Sequence, residues 1–383
     1  MSDQKPTYAK GLEGVIAGTS GLSLVEGDVG RLSYRGYNID DLVDHSSFEE
    51  VTYLLWYGEL PTADQLQAFD AKLRAQRALP AEAMQVLRAL PTGGAPIDAL
   101  RTVVSALALA DPDVDNIGHE AVIEKATRLA ALFPTIMMAY DRLRHGHEPV
   151  APRTDLTHAE NMLYMLTGEE AKPAMAHALD TYLVLAAEHS FNASTFAAMV
   201  TISAVSDYYS AIVTALGTLR GVSHGSANQK AMEMLMEIGA PDKVDAFVDN
   251  ALATKRRLMG MGHRIYKTRD PRAKHLARHA AELAQLVNDP RWFDIANRLD
   301  EMSKSHPYFA ERKIYPNVEF YSAPVLYGLG LAPDLMPAAF AVSRIAGWTG
   351  HLLEQLADNR LFRPSAQYDG PAPRPYPEVA ART

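Results

Sequence analysis

From Ser47 onward the chain repeats one pattern: apolar positions three and four residues apart, broken at short intervals by proline or glycine. That spacing lines one face of an α-helix. In "SFEEVTYLLWYGEL" Phe48, Val51, Leu54 and Leu55 follow it, and Ser47 with Glu50 reads as a capping box. "PTADQLQAFDAKLRAQ", "PAEAMQVLRAL" and "PIDALRTVVSALALA" come next, and "THAENMLYML" opens on a second box, Thr157 to Glu160. "ALDTYLVLAAEHS" and the long stretch "STFAAMVTISAVSDYYSAIVTALGTLR" are Ala-rich, so they pack closely and are expected at the centre. Helices continue after Gly221 to about residue 302, with one more segment near residue 319. "LMPAAFAVSRIAGWTGHLLEQLADN" reads as another long amphipathic helix.

Residues 12–40 break the pattern. They are Gly-rich with short β-branched pieces, which predicts small strands and turns. The Pro-rich tail "YDGPAPRPYPEVAART" is expected to wrap a surface or fray. Strong strands do not alternate with helices, which argues against a parallel α/β sheet. The pattern predicts a mostly α fold with a minor β element at the N-terminus.

Composition narrows the chemistry. The 383 residues, 48% hydrophobic, suffice for two domains or one large one. No cysteine is present, which excludes a disulfide, a thiolate nucleophile and a Cys-ligated metal and fits a cytoplasmic setting. The polar start "MSDQKPTYAKG" lacks the apolar core of a signal peptide, and no apolar run reaches the roughly 18 residues that span a bilayer. The formal charge of −9 argues against a nucleic-acid binder. Within that acidic chain, Lys255–His279 carries nine Lys/Arg and one acid, a net +8 over 25 residues. This is either a solvated helix face or an anion site.

The polar outliers sit at breaks or inside apolar runs. Glu319 in "IYPNVEFYSA" lies among Tyr315, Val318, Phe320 and Tyr321, so it is either a solvated strand residue or a base kept dry. "GVSHG" (Gly221–Gly225) matches a serine-hydrolase elbow, with Ser223 as nucleophile, but that elbow needs a strand before it and here a helical pattern precedes. His224 precedes a helix opened by Ser226 and Gln229. It is either a capping or core histidine, or a neutral imidazole that donates to a carbonyl gaining charge. In "MGMGHRIYKTRDPRA", Gly260 and Gly262 allow close backbone approach, and Asp270-Pro271 places Arg272 in a first turn, where a cation opposes the helix dipole. His263 has no structural excuse there. His189 and Asn192 interrupt two Ala-rich helices, Arg344 stands in an apolar helix, and Arg360 and Arg363 follow it. His275 and His279 have metal-ligand spacing but no evident third ligand. Three histidines, a carboxylate and arginine forks suit a small dianionic substrate and proton chemistry.

Five segments taken in order carry a resemblance: "EHSFNASTFAA", "GVSHGSANQKAM", "MGMGHRIYKTRDPRAKHL", "YPNVEFYS" and "SRIAGWTGHLLEQLADNRLFRP". Over about Gly11–Tyr368 the chain resembles citrate synthases of the shorter, prokaryotic type. The resemblance implies an almost all-α fold, with a large domain of residues 1–220 and 326–383 and a small one of 221–325. It implies a homodimer that condenses acetyl-CoA with oxaloacetate and hydrolyses citryl-CoA, with no metal and no prosthetic group. It further implies that His224 stabilises the enolate, that His263 polarises the ketone and that Glu319 takes the methyl proton. His189, Arg272 and Arg344 would bind oxaloacetate, with Arg363 reaching across the dimer. Met259, Gly260, Met261, Gly262 and Lys267 would face CoA.

Glu319 falls where the family has Asp in "PNVDFYSG", and Ala323 replaces the Gly. One added methylene shifts the carboxylate by roughly 1 Å, a displacement that can lower a rate about 100-fold. The motifs do not separate citrate synthase from 2-methylcitrate synthase, which uses propionyl-CoA, and Glu319 leaves open a weakly active or non-catalytic member.

Overall fold

The computed structural model describes residues 8–262 and 265–382. The N-terminal segment forms a small antiparallel sheet of β1 (Ser23–Glu26), β2 (Arg31–Tyr34) and β3 (Tyr37–Asn38), in that order. Ser23 pairs with Tyr34 and Glu26 with Arg31. The helices then run α1 (Ile39–His45), α2 (Phe48–Tyr57), α3 (Ala63–Ala75), α4 (Ala81–Ala89), α5 (Pro96–Leu109) and α6 (His119–Arg144). After them come α7 (His158–Thr167), α8 (Pro173–Ala186), α9 (Ala193–Ser203), α10 (Tyr208–Leu219), α11 (Ala227–Ile238) and α12 (Val244–Ala253). The chain closes with α13 (Ala273–Leu286), α14 (Arg291–Ser305), α15 (Pro307–Arg312), α16 (Val318–Gly328) and α17 (Met336–Ala357). The predicted class, mostly α with a minor β element, is the observed one. Among the described residues no helix is long and apolar enough to cross a membrane.

The local signals act as physical chemistry requires. Thr157 accepts from the Glu160 N–H while the Glu160 side chain accepts from the Thr157 N–H, a complete capping box. At Ser47 only half of the predicted box forms. Ser47 accepts from the Glu50 N–H, but the Glu50 carboxylate turns to the Ser46 hydroxyl instead.

Two helix expectations are corrected. The Ala-rich stretch after Asn192 is two helices: Val205 adopts a left-handed φ of 61°, and Asp207 caps α10 by accepting from the Ser210 N–H at 2.8 Å. The helix α17 is not amphipathic, because every residue from Met336 to Leu353 is buried. Small residues allow this. A Cβ on Gly347 would stand 2.5 Å from the Ala187 carbonyl oxygen, and one on Gly350 would stand 2.3 Å from Leu22. A helix packed on all sides belongs in the centre of a large core. Here it contacts α2, α6, α8 and α9, and it carries Arg344 inward.

Candidate active site

The break between α8 and α9 is where the site begins. Ser190 takes a left-handed φ of 53°, and Asn192 caps α9 by accepting from the Thr195 N–H at 3.1 Å. The turn so formed buries His189, whose Nε2 lies 3.2 Å from the Tyr266 hydroxyl. The first turn of α9 then meets the loop after α10. The Ser194 backbone N–H donates to His224 Nε2 at 3.2 Å, and the Ser194 hydroxyl lies 2.8 Å from the same nitrogen. Trp348 Nε1 donates to that hydroxyl at 3.0 Å.

A backbone N–H only donates, so Nε2 of His224 is the acceptor nitrogen and Nδ1 carries the proton. Burial, with the Arg344 charge adding, pushes the His224 pKa down to about 4. The imidazole is therefore neutral near pH 7 and has one N–H to offer. The Ser226–Gln229 cap is not made: the Ser226 hydroxyl donates to the Arg220 carbonyl at 2.8 Å. Gly225 is required by packing, since its Cβ would meet the Leu219 carbonyl oxygen at 2.5 Å. This loop follows helix α10, and Ser223 is exposed, so the segment is not a nucleophile elbow.

Two buried arginines face this corner. Asp270 grips Arg272 through Nε at 2.9 Å and Nη2 at 2.7 Å, and it also accepts from the Val318 N–H at 3.2 Å. The anion expected beside Arg272 is thus supplied in part by the chain itself. Helix α13 starts at Ala273, so Arg272 stands just before its first turn. Arg344 is 2% exposed. Its Nε donates to the Ala186 carbonyl at 2.6 Å, its guanidinium lies 4.5 Å from the Phe340 ring centre, and among the described residues it has no ion pair. The buried Glu188 carboxylate acts on it electrostatically without pairing directly, so the guanidinium fork stays open to an anionic ligand.

Asp270 also fixes the position of Glu319, because Val318 opens α16 and Glu319 follows it. Glu319 is a first-turn helical residue and not the strand residue considered from sequence. Burial pushes its pKa above the ordinary carboxylate range, against the nearby Arg272 charge and with that of Asp270. Among the described residues its Oε2 is buried without a hydrogen-bond partner, as is the Tyr182 hydroxyl. Both residues line, with Gly225, Asn228 and Phe340, a crevice too tight to hold a water molecule. Arg344 acts electrostatically on both His224 and Glu319, so the three converge.

The glycines of Met259–Gly262 do allow a close approach, but the partner is the base-bearing helix. Gly260 has φ 73°, and its Cβ would stand 2.9 Å from Phe320 Cα. The Gly262 N–H donates to Tyr315 at 2.8 Å, and the Asn317 N–H donates to Gly260 at 3.0 Å. Met261 pairs with Pro316 and is buried, while Met259 is partly buried. Lys267 is exposed and lines a cavity of about 490 Å³ with Arg269, Lys304 and Lys313. His263 lies outside the described residues. Arg363 is exposed on the C-terminal segment and faces a different cavity, of about 640 Å³, with Phe191 and Phe362. Its own chain does not bring it to Arg272 and Arg344. His275 turns to Asp40 at 2.7 Å and His279 to Thr181 at 3.1 Å, so the pair does not converge on one point.

Sequence reasoning passed over Ser194, Tyr266, Tyr182 and Trp348. Tyr266, a buried aromatic inside a basic run, was the one with a visible signal.

Comparison with known proteins identifies the family. The family model for the citrate synthase C-terminal domain matches residues 11–365. "Citrate synthase 2" of Bacillus subtilis is 42% identical over 377 residues, covering 98% of this chain and all of that one. A 2-methylcitrate synthase of Mycobacterium tuberculosis is 39% identical, covering 98% of this chain and 94% of that one. Among solved structures, citrate synthase of Thermoplasma acidophilum in a ternary complex with carboxymethyl coenzyme A and oxaloacetate superposes with a TM-score of 0.92 at 32% identity, over 99% of this chain and 100% of that one. A mostly helical frame that gathers buried arginines, a neutral histidine and a dry carboxylate at one corner, matched end to end by such relatives, places the chain in the citrate synthase family.

Proposed function

We propose that the protein condenses acetyl-CoA with oxaloacetate and hydrolyses the resulting citryl-CoA to citrate and CoA. The observation that carries this reading is the pairing of opposed proton roles. His224 is neutral, with Nδ1–H as its donor, while Glu319 is a carboxylate whose burial makes it a stronger base than usual. Glu319 takes a proton from the acetyl methyl group, and the Nδ1–H of His224 donates to the thioester oxygen as it becomes an enolate. The enolate carbon attacks the ketone carbon of oxaloacetate, whose oxygen collects the proton offered by His263. Water then adds to the thioester, the C–S bond breaks, and CoA leaves as its thiol.

Arg344, Arg272 and His189 hold the oxaloacetate carboxylates. Arg344 supports this, since it makes no ion pair among the described residues and its guanidinium can take a carboxylate directly. Arg363 completes the grip from a second subunit of a homodimer, consistent with its absence from this corner in its own chain. Residues 259–262 and Lys267 face CoA, with the basic rim of Arg269, Lys304 and Lys313 suited to its phosphates. We assign residues 1–220 and 326–383 to a large domain, residues 221–325 to a small one, and the protein to the cytoplasm.

The test is release of CoA thiol from acetyl-CoA and propionyl-CoA in the presence of oxaloacetate. We expect turnover with acetyl-CoA and a higher kcat/KM for it than for propionyl-CoA. The reverse preference would assign the chain to 2-methylcitrate synthesis, and a pocket separates the two acyl groups by only about 1–3 kcal/mol. Glu319→Gln should lower kcat by 10²-fold or more. Full activity in that variant would remove Glu319 from the mechanism.

A further inference from the structure

We infer that the N-terminal β1–β2 hairpin is a positioning element of the active site, clamping the His189 turn at one end and the 265–269 loop at the other. The inference rests on the oxaloacetate reading above and deepens it.

The open end of the hairpin holds the turn. Ser23 and Tyr34 are cross-strand partners on one rung. The Ser23 hydroxyl donates to Glu188 Oε1 at 3.0 Å and accepts from the Ser190 N–H at 3.0 Å. The Tyr34 hydroxyl lies 2.9 Å from the Glu188 carbonyl oxygen and 3.2 Å from that of Leu185. These contacts bracket His189, and they support the strained left-handed backbone of Ser190.

The tip of the hairpin holds the loop. The Lys267 N–H donates to the Gly27 carbonyl at 3.0 Å. A Cβ on Gly27 would stand 2.3 Å from the Ile265 carbonyl oxygen, and one on Gly30 would stand 2.8 Å from that of Arg269. Gly30 also needs glycine for its φ of 65°. The φ of Gly27 is not in the left-handed region, so the turn itself tolerates a side chain there. What excludes one is the backbone of the loop. Two glycines on one turn therefore fit this hairpin to residues 265–269.

The two clamped segments meet where His189 touches Tyr266. From there the loop continues to Asp270, which orients Arg272 and the start of α16. Hairpin, turn and loop thus form a closed mechanical circuit. A relaxation at the tip separates His189 from Arg272, the two groups that must address one dicarboxylate together.

The test uses full-length Gly27→Ala, with Asp28→Ala on the exposed face of the same turn as control. Calorimetric binding of oxaloacetate and steady-state kinetics are measured for each. We expect Gly27→Ala to weaken oxaloacetate binding and raise its KM about 10-fold, while the KM for acyl-CoA moves less than 3-fold and Asp28→Ala changes neither. Ser23→Ala loosens the other end without adding volume, so it tests the clamp even if Gly27→Ala folds poorly. It should raise the oxaloacetate KM severalfold. A merely structural hairpin would lower Tm in these variants and leave the oxaloacetate affinity unchanged, and that result overturns the inference. If the wild type binds no oxaloacetate, the functional reading fails first. The clamp is then judged by hydrogen exchange of residues 265–272, which must rise in Gly27→Ala for it to stand.

Discussion

At Glu319 the local sequence posed the right question and could not answer it. Val318, Phe320 and Tyr321 are buried, as their type suggests. Burial raises the basicity of the carboxylate, and the charges that act on it, Arg272 and Arg344 against burial and Asp270 with it, are distant in sequence, so no window around Glu319 contains them. The same holds for His224, whose tautomer is fixed by a backbone N–H thirty residues earlier. Residue type and position in a break identified the candidates, while their protonation states follow from tertiary contacts. A pH profile separates the two groups. Glu319 must be ionised to act, so kcat/KM, which reports the free enzyme, should rise with pH along an acid limb whose midpoint lies above the ordinary glutamate value of about 4.3. His224, pushed down to about 4, must also be neutral to act and contributes only at the low end of that limb. Glu319→Asp should move the midpoint, whereas a limb unchanged in that variant would assign the ionisation elsewhere.

Elements were legible where period and cap agreed, as at Thr157, and misread where one composition ran across a break. The residues from Ser194 to Leu219 share an Ala-rich, apolar character, so the helical period continues through Val205 with no Gly or Pro to stop it. The signal that was present, Asp207 three residues before Ser210, is a cap of ordinary strength. Helix α17 was misread as amphipathic for a related reason: its polar residues Ser343, Thr349 and His351 are buried and partnered by Leu183, Tyr208 and Glu188, whereas Arg344 was read as a cation inside an apolar helix. Val205 supplies a stability test. A side chain with a left-handed φ costs about 1–2 kcal/mol, while glycine adds about 0.5–1 kcal/mol of unfolded-state entropy. Val205 is 65% exposed, so little burial is lost on its removal. Val205→Gly should therefore stabilise the protein by about 0.5–1 kcal/mol in urea unfolding. A loss instead would mean that the valine side chain outweighs its backbone strain.

On the scale of the whole molecule, the fold class followed from the helical period, but the buried polar groups that join helices did not. One such cluster lies where α2, α7 and α8 meet. The His158 N–H donates to Glu49 at 2.8 Å, the Phe48 N–H donates to Asp180 at 3.1 Å, and Arg77 reaches the Arg153 and Leu156 carbonyls at 2.7 and 2.8 Å. Burial, with the Arg77 charge adding, pushes the His158 pKa down to about 3, and burial pushes Glu49 and Asp180 up. The signs oppose each other. Below pH 6.5 the unfolded chain protonates His158 while the folded protein does not, so stability falls as pH drops from about 6.5 toward 3. The two carboxyl groups hold protons more tightly when folded, so their contribution grows as pH drops over the same range. Wild-type stability is therefore flatter with pH than either part alone. His158→Gln removes only the first part. Relative to wild type, this variant should gain up to about 1.4 kcal/mol for each pH unit below 6.5. Urea unfolding of both proteins between pH 4.5 and 7.5 measures the difference, and parallel curves would show that His158 is protonated equally in both states.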